Sequence, residues 1–62
     1  MRYKIKERRE QLGVTQAELA EKADVSRTII SRLESDQEFE TTTTTLKKLA
    51  EALDTTVSHL LF

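Results

Sequence analysis

The chain has 62 residues, 34% of them charged and 37% hydrophobic, with ten Lys and Arg against eleven Asp and Glu for a formal net charge of −1. That length admits one domain, residues 1–62, which buries only about 60% of its unfolded surface, so a second subunit would add to a marginal core. The absence of Cys excludes disulfides and thiolate metal sites, one His cannot build a His cluster, no apolar run approaches the ~20 residues of a membrane span, and the charged start MRYKIKERRE lacks the apolar region of a secretory signal.

A first helix is predicted over Tyr3–Leu12, with Ile5, Arg9 and Leu12 on one face. Gly13, the only glycine, fits a left-handed residue just past a helix end, and Val14 returns to the core. Thr15 and Glu18 form a T-x-x-E capping box that opens a second helix, Gln16–Ala23. Leu19 and Ala23 share its inner face, and Ala20 lies where a steeply crossing helix would clash with anything larger. Asp24 and Val25 make the turn. Ser26 caps a third helix, residues 26–34. This helix turns Ile29, Ile30 and Leu33 inward and shows Arg27, Thr28, Ser31 and Arg32 outward. Ser35–Thr42 is a polar loop in which Phe39 is the one residue expected to pack back. A fourth helix starts within Thr43–Thr45 and places Leu46, Leu49, Ala50 and Leu53 at i, i+3, i+4 and i+7, an amphipathic stripe. Asp54 and Thr55 turn the chain, and Thr56 caps a last short helix carrying Val57, Leu60, Leu61 and Phe62. With one Gly, no Pro and no alternating apolar run, the consistent reading is all-α, a compact bundle of five short helices.

Two short helices joined by a tight turn, the second exposing hydrogen-bond donors near its N-terminal end, suit the major groove of DNA. The ordered set Arg9, Leu12, Gln16, Leu19-Ala20, Val25, Ser26, Ile30, Leu33 and Glu34, followed by LKKLAEALDTTVSHLLF, resembles the lambda repressor/Cro-like (XRE-type) helix-turn-helix family of bacterial and phage regulators. The resemblance covers nearly the whole chain. It implies a lambda repressor-like domain acting as a sequence-specific transcription regulator, a repressor that occludes a promoter, with the third helix in the major groove. Two features depart from the family. Asp24 and Asp54 occupy turn positions where Gly is usual, and the loop SDQEFETTTTT is acidic and without Pro where basic residues and a Pro are common. The second departure weakens any side-chain cation contact from this loop to phosphate.

Arg27, Thr28, Ser31 and Arg32 are the candidates for reading base edges. Arg can bond bidentately to guanine, and Thr offers a methyl to thymine or a hydroxyl to a base edge. Arg32 lies one turn further in, where Glu34 or Glu38 can hold it away. Thr15, Gln16 and Ser26 are candidates for phosphate contact, because free N–H groups at a helix start attract anions. The family resemblance gives Gln16 a backbone-clamping role and adds Thr43 and Thr44 at the start of the fourth helix. It also makes Arg9 and Glu34 a structural ion pair; Arg9 otherwise interrupts an apolar face. Leu61 and Phe62 add more apolar surface than a last turn needs. With Leu60 they close the core over the first helix, and Leu61 or Phe62, turned outward, forms an isologous dimer contact, which would match a palindromic operator.

Charge distribution fits this picture. Residues 1–10 hold five basic against two acidic groups, a balance of +3, while Glu34, Asp36, Glu38 and Glu40 gather the acids. A polarised molecule of low net charge orients toward DNA while holding random sequence loosely. The acidic loop also keeps open a protein-interaction module on the same scaffold, antitoxin-like or anti-regulator. An enzyme is not expected: there is no Cys, one isolated His, no glycine-rich phosphate loop and no clustered carboxylates. The expected partners are a double-stranded DNA operator and a second copy of the chain, in the cytoplasm, with no membrane, cofactor, metal or small-molecule ligand.

Overall fold

The computed structural model describes residues 3–36 and 38–61. Five α-helices follow one another: α1 (Ile5–Gln11), α2 (Gln16–Ala23), α3 (Arg27–Ser35), α4 (Thr43–Ala52) and α5 (Val57–Leu60). The described residues form no strand, only a single antiparallel bridge between Tyr3 and Leu61. The expected bundle of five short helices is the architecture observed.

Three helices begin on a hydroxyl that receives their free N–H groups. Thr15 Oγ1 accepts the Glu18 N–H at 3.1 Å while Glu18 Oε1 accepts the Thr15 N–H at 2.9 Å, so the capping box is closed in both directions. Ser26 Oγ accepts the Thr28 N–H at 3.2 Å, and Thr42 Oγ1 accepts the Thr45 N–H at 3.2 Å. Helix α5 differs from expectation. The Thr56 hydroxyl turns to Ser58 Oγ and His59 Nδ1, at 3.2 and 2.7 Å, and makes no side-chain cap to the backbone.

The same device ends three helices. Gly13, Asp24 and Asp54 are left-handed, with φ of 69°, 55° and 54°. The N–H of the next residue then reaches back five residues in each case, Val14 to Arg9 O, Val25 to Ala20 O and Thr55 to Ala50 O, at 2.9–3.1 Å. These are Schellman ends, which satisfy the last carbonyls of each helix and turn the chain sharply. Asp stands at two of the three, where it tolerates the left-handed region better than most side chains but less well than Gly.

The turns direct the apolar stripes into one core. Ile5, Leu19, Ile30, Leu33, Leu49, Leu53 and Leu60 are almost wholly buried, and Tyr3, Ala23, Leu46, Ala50 and Ala52 complete the cluster. Val14, Ala20, Val25, Ile29, Phe39 and Val57 pack at its margin. Helix α2 packs on both α3 and α4, α1 meets α3, and α5 closes on α4.

Three expectations are corrected at the ends of the chain. Helix α1 starts at Ile5 and not at Tyr3, because Tyr3 pairs with Leu61 and the Lys4 N–H donates to the Leu60 carbonyl at 2.6 Å. Leu12 does not share the inward face of Ile5 and Arg9. The helix ends at Gln11 and the Schellman turn carries Val14 into the core instead, leaving Leu12 41% exposed. Leu61 is not helical. It extends beyond α5 to meet Tyr3 and is 43% exposed. Phe62 lies outside the described residues.

Two outcomes follow from these ends. Asp24→Gly removes a side chain from a left-handed residue, so thermal unfolding should show unchanged stability or a gain of up to about 1 kcal/mol; a clear loss would contradict the left-handed turn. The capping box is pH-dependent. The Thr15 backbone N–H, and then its hydroxyl, hold the Glu18 carboxyl below the usual range. A carboxyl whose native pKa is depressed stabilises the fold above its unfolded value of about 4.3, and that contribution fades as pH falls through the native pKa. Glu18→Gln should therefore be less stable than the parent in urea at about pH 7, and the gap should close in acid, once the pH has fallen through the depressed native pKa.

Candidate nucleic-acid interface

The outward face of α3 is set by its inward one. Ile30 and Leu33 are fixed in the core, so Arg27, Thr28, Ser31 and Arg32 must face away from it. Arg27, Thr28 and Arg32 are exposed and Ser31 is half-buried. With Gln16 from the opening turn of α2, these four line one shallow surface depression. Thr15 is exposed at the same helix start. Its capping box takes up the N–H groups of Thr15 and Glu18 and leaves the first-turn amides of Gln16 and Ala17 outside it. Ser26 opens α3 as its cap. Thr43 and Thr44 are exposed on the first turn of α4, outside the α3 depression.

Behind this face lies a polar network. Arg9 Nε donates to Glu34 Oε2 at 2.9 Å and Arg9 Nη2 to Glu34 Oε1 at 3.0 Å, a bidentate pair joining α1 to the last turn of α3. The two side chains are only 13% and 4% exposed. Arg9 Nη1 also donates to the Val14 carbonyl at 2.9 Å, and Gln16 Nε2 donates to Glu34 Oε1 at 3.1 Å. The loop before α2 is thus tied to the guanidinium of the pair and the start of α2 to its carboxylate. The hydrogen bonds to Glu34 hold the Arg9 guanidinium more firmly protonated, against the opposing effect of burial.

Arg32 is held, though not by Glu34 or Glu38. Glu34 is turned inward to Arg9. Instead Arg32 Nη2 lies 3.4 Å from Asp36 Oδ2, one turn on, and its guanidinium carbon sits 4.2 Å from the centre of the Phe39 ring. Arg27 has no such restraint among the described residues. One structural residue was not foreseen. Arg8, read only as part of a basic N-terminus, donates from Nε to the Leu53 carbonyl at 2.9 Å and from Nη2 to the Asp54 carbonyl at 3.1 Å. It satisfies the end of α4 with a cation where the helix dipole favours one. Nothing in its local sequence distinguishes it from its basic neighbours, since its partners lie 45 and 46 residues away.

Among the described residues no helix is long and apolar enough to cross a membrane. Residues 5–60 match the family model described as Helix-turn-helix. None of the curated proteins matches the sequence. Among solved structures the chain is similar to the master regulator for biofilm formation SinR in complex with DNA, with 33% identity, a TM-score of 0.83 and coverage of 89% of this chain and 87% of that one. It is also similar to a chain of a SinR protein/SinI protein complex, with 33% identity, a TM-score of 0.81 and coverage of 87% of this chain. There it spans 52% of the other chain, about half its length.

Removing one partner of a buried ion pair leaves the other charge desolvated, at a cost of about 3–5 kcal/mol. Glu34→Gln should destabilise the protein on that scale in chemical denaturation. A loss under about 1 kcal/mol, the range of exposed pairs, would make the pair peripheral.

Proposed function

The chain belongs to the XRE-type helix-turn-helix family, and on that premise we propose that it binds double-stranded DNA sequence-specifically and regulates transcription, as a repressor that occludes a promoter. The observation that carries this reading is the gathering of Gln16, Arg27, Thr28 and Ser31 with Arg32 on one solvent-facing depression over α3. Helix α3 enters the major groove by its N-terminal half. Arg27, unrestrained at the tip, forms a two-pronged bond to guanine O6 and N7, worth about 1–3 kcal/mol of discrimination. Thr28 meets a thymine methyl or a base edge with its hydroxyl, and Ser31 bonds either partner of a pair. The Thr15 hydroxyl and the first-turn amide of Gln16, with Ser26, Thr43 and Thr44, hold the phosphates on either side. One N–H of the Gln16 amide is given to Glu34, and its second remains for a phosphate oxygen. The solved SinR structure in complex with DNA supports the reading.

The exposed Leu61, with Phe62 beyond it, forms the contact between two copies on a palindromic operator. Two half-sites one helical turn, about 34 Å, apart would match the two-fold axis. A second reading, a protein-interaction module on the same scaffold, draws support from the likeness to a chain of the SinR/SinI complex and from the acidic stretch Glu34–Glu40.

Selection from a randomised duplex library tests the two readings. The proposal predicts enrichment of a two-fold symmetric site whose binding weakens with salt and is lost in Arg27→Ala. Folded protein that enriches no sequence would favour the protein partner.

A further inference from the structure

We infer that Arg32 is a phosphate clamp and not a base reader, presented to the DNA backbone by the Phe39 ring and restrained by Asp36. The inference rests on the DNA-binding reading above and assigns Arg32 a narrower place within it. Arg32 sits one turn beyond Thr28, and both of its contacts draw it toward the C-terminal end of α3 and the loop that follows, away from the tip where base edges are met. The two contacts use different parts of the guanidinium. The guanidinium carbon lies over the ring, 4.2 Å from its centre, a contact that needs none of the N–H donors. The Asp36 carboxylate occupies one of those donors, Nη2, at a loose 3.4 Å. A phosphate oxygen competes with Asp36 but not with Phe39.

The loop is built to hold both partners. Asp36 Oδ1 accepts the Glu38 N–H at 3.0 Å, and the Asp36 carbonyl accepts the Phe39 N–H at 3.2 Å. Phe39 is half-buried against the core cluster. Its ring is therefore a fixed platform, and the pairing carboxylate is fixed beside it. Phe39 is a positioning residue; it orients Arg32 without touching DNA. Asp36 attenuates binding, because it must yield Arg32 and then remain near the phosphates as an unpaired negative charge.

Four variants in duplex binding at several salt concentrations test this. Asp36→Asn keeps the Oδ1 acceptor for Glu38 and removes the charge. It should tighten binding a few-fold on selected and random duplexes and steepen the logarithmic salt slope by about one. Phe39→Leu keeps an apolar residue on the core but loses the stack, and should weaken binding about two- to fivefold, the equivalent of an exposed cation–π contact; Phe39→Trp should restore it. Arg32→Ala should weaken binding equally across sequences and leave the selected site unchanged. In the Arg32→Ala background, Asp36→Asn should lose its part due to Arg32, and Phe39→Leu should have no effect. An Arg32→Ala protein that selects a different site, Phe39→Leu binding as tightly as the parent, or Phe39→Leu weakening binding equally with Arg32 absent would each overturn the inference. A parent that binds no duplex at all would instead strike the DNA-binding reading on which it rests.

Discussion

The bidentate pair between Arg9 and Glu34 is the constraint on which the placement of α3 depends. Nearly dry side chains of opposite charge cannot drift apart without leaving one charge in a medium that solvates it poorly. Glu34 sits in the last turn of α3 and Arg9 in the last turn of α1, so the pair fixes where one helix ends relative to another. The same two side chains also take up the Val14 carbonyl and the Gln16 amide. The end of α1, the entry to α2 and the end of α3 are thereby referred to one ion pair. An apolar replacement of similar volume could supply comparable stability, but it would not specify rotation of α3 about its own axis so closely. That rotation decides which side chains meet a partner.

The rest of the fold completes what the pair begins. Three Schellman ends turn the chain within a residue or two, so helices of seven to ten residues meet without long connections. Hydroxyl caps on α2, α3 and α4 replace hydrogen bonds that such short helices cannot make internally. Arg8 ties α1 to the end of α4, and the Tyr3–Leu61 bridge brings the two ends of the described chain together. The face of α3 is then what remains uncovered. Gln16 belongs to both parts, since its amide donates to Glu34 of the ion pair and the residue lines the depression over α3, and so links the core constraint to the outer face.

Much of this was legible in local patterns. The capping box at Thr15, the left-handed Gly13, the stripe Leu46–Leu49–Ala50–Leu53 and the inward set of α3 all follow from spacings of three and four residues, which geometry converts directly into a face. What stayed hidden depends on long-range pairing or on the choice among equivalent polar groups. Tyr3 reads as helix until its partner Leu61 is known, and Leu61 reads as helix for the same reason. Leu12 satisfies the helical spacing, but the turn at Gly13 comes one residue too early for it and gives its place to Val14. Arg8 and Arg9 are adjacent and chemically identical, yet one meets a carboxylate and the other two carbonyls. Of the four acids at residues 34, 36, 38 and 40, sequence could not choose the one that meets Arg32, because Glu34 is taken by a helix 25 residues earlier. The ring of Phe39 was expected to pack back, but its stack under Arg32 requires the loop's exact path.

The central claim is that the ion pair holds α3 with the Arg27–Arg32 face outward and that this face is where DNA binds. Backbone amide chemical shifts recorded during titration with an operator duplex test it most directly. The account predicts that the largest changes fall at Thr15–Gln16, Ser26–Arg32 and Thr43–Thr44, while α5 and the start of α1 stay near their free positions. Changes concentrated on α1 and α5, with α3 unperturbed, would contradict it.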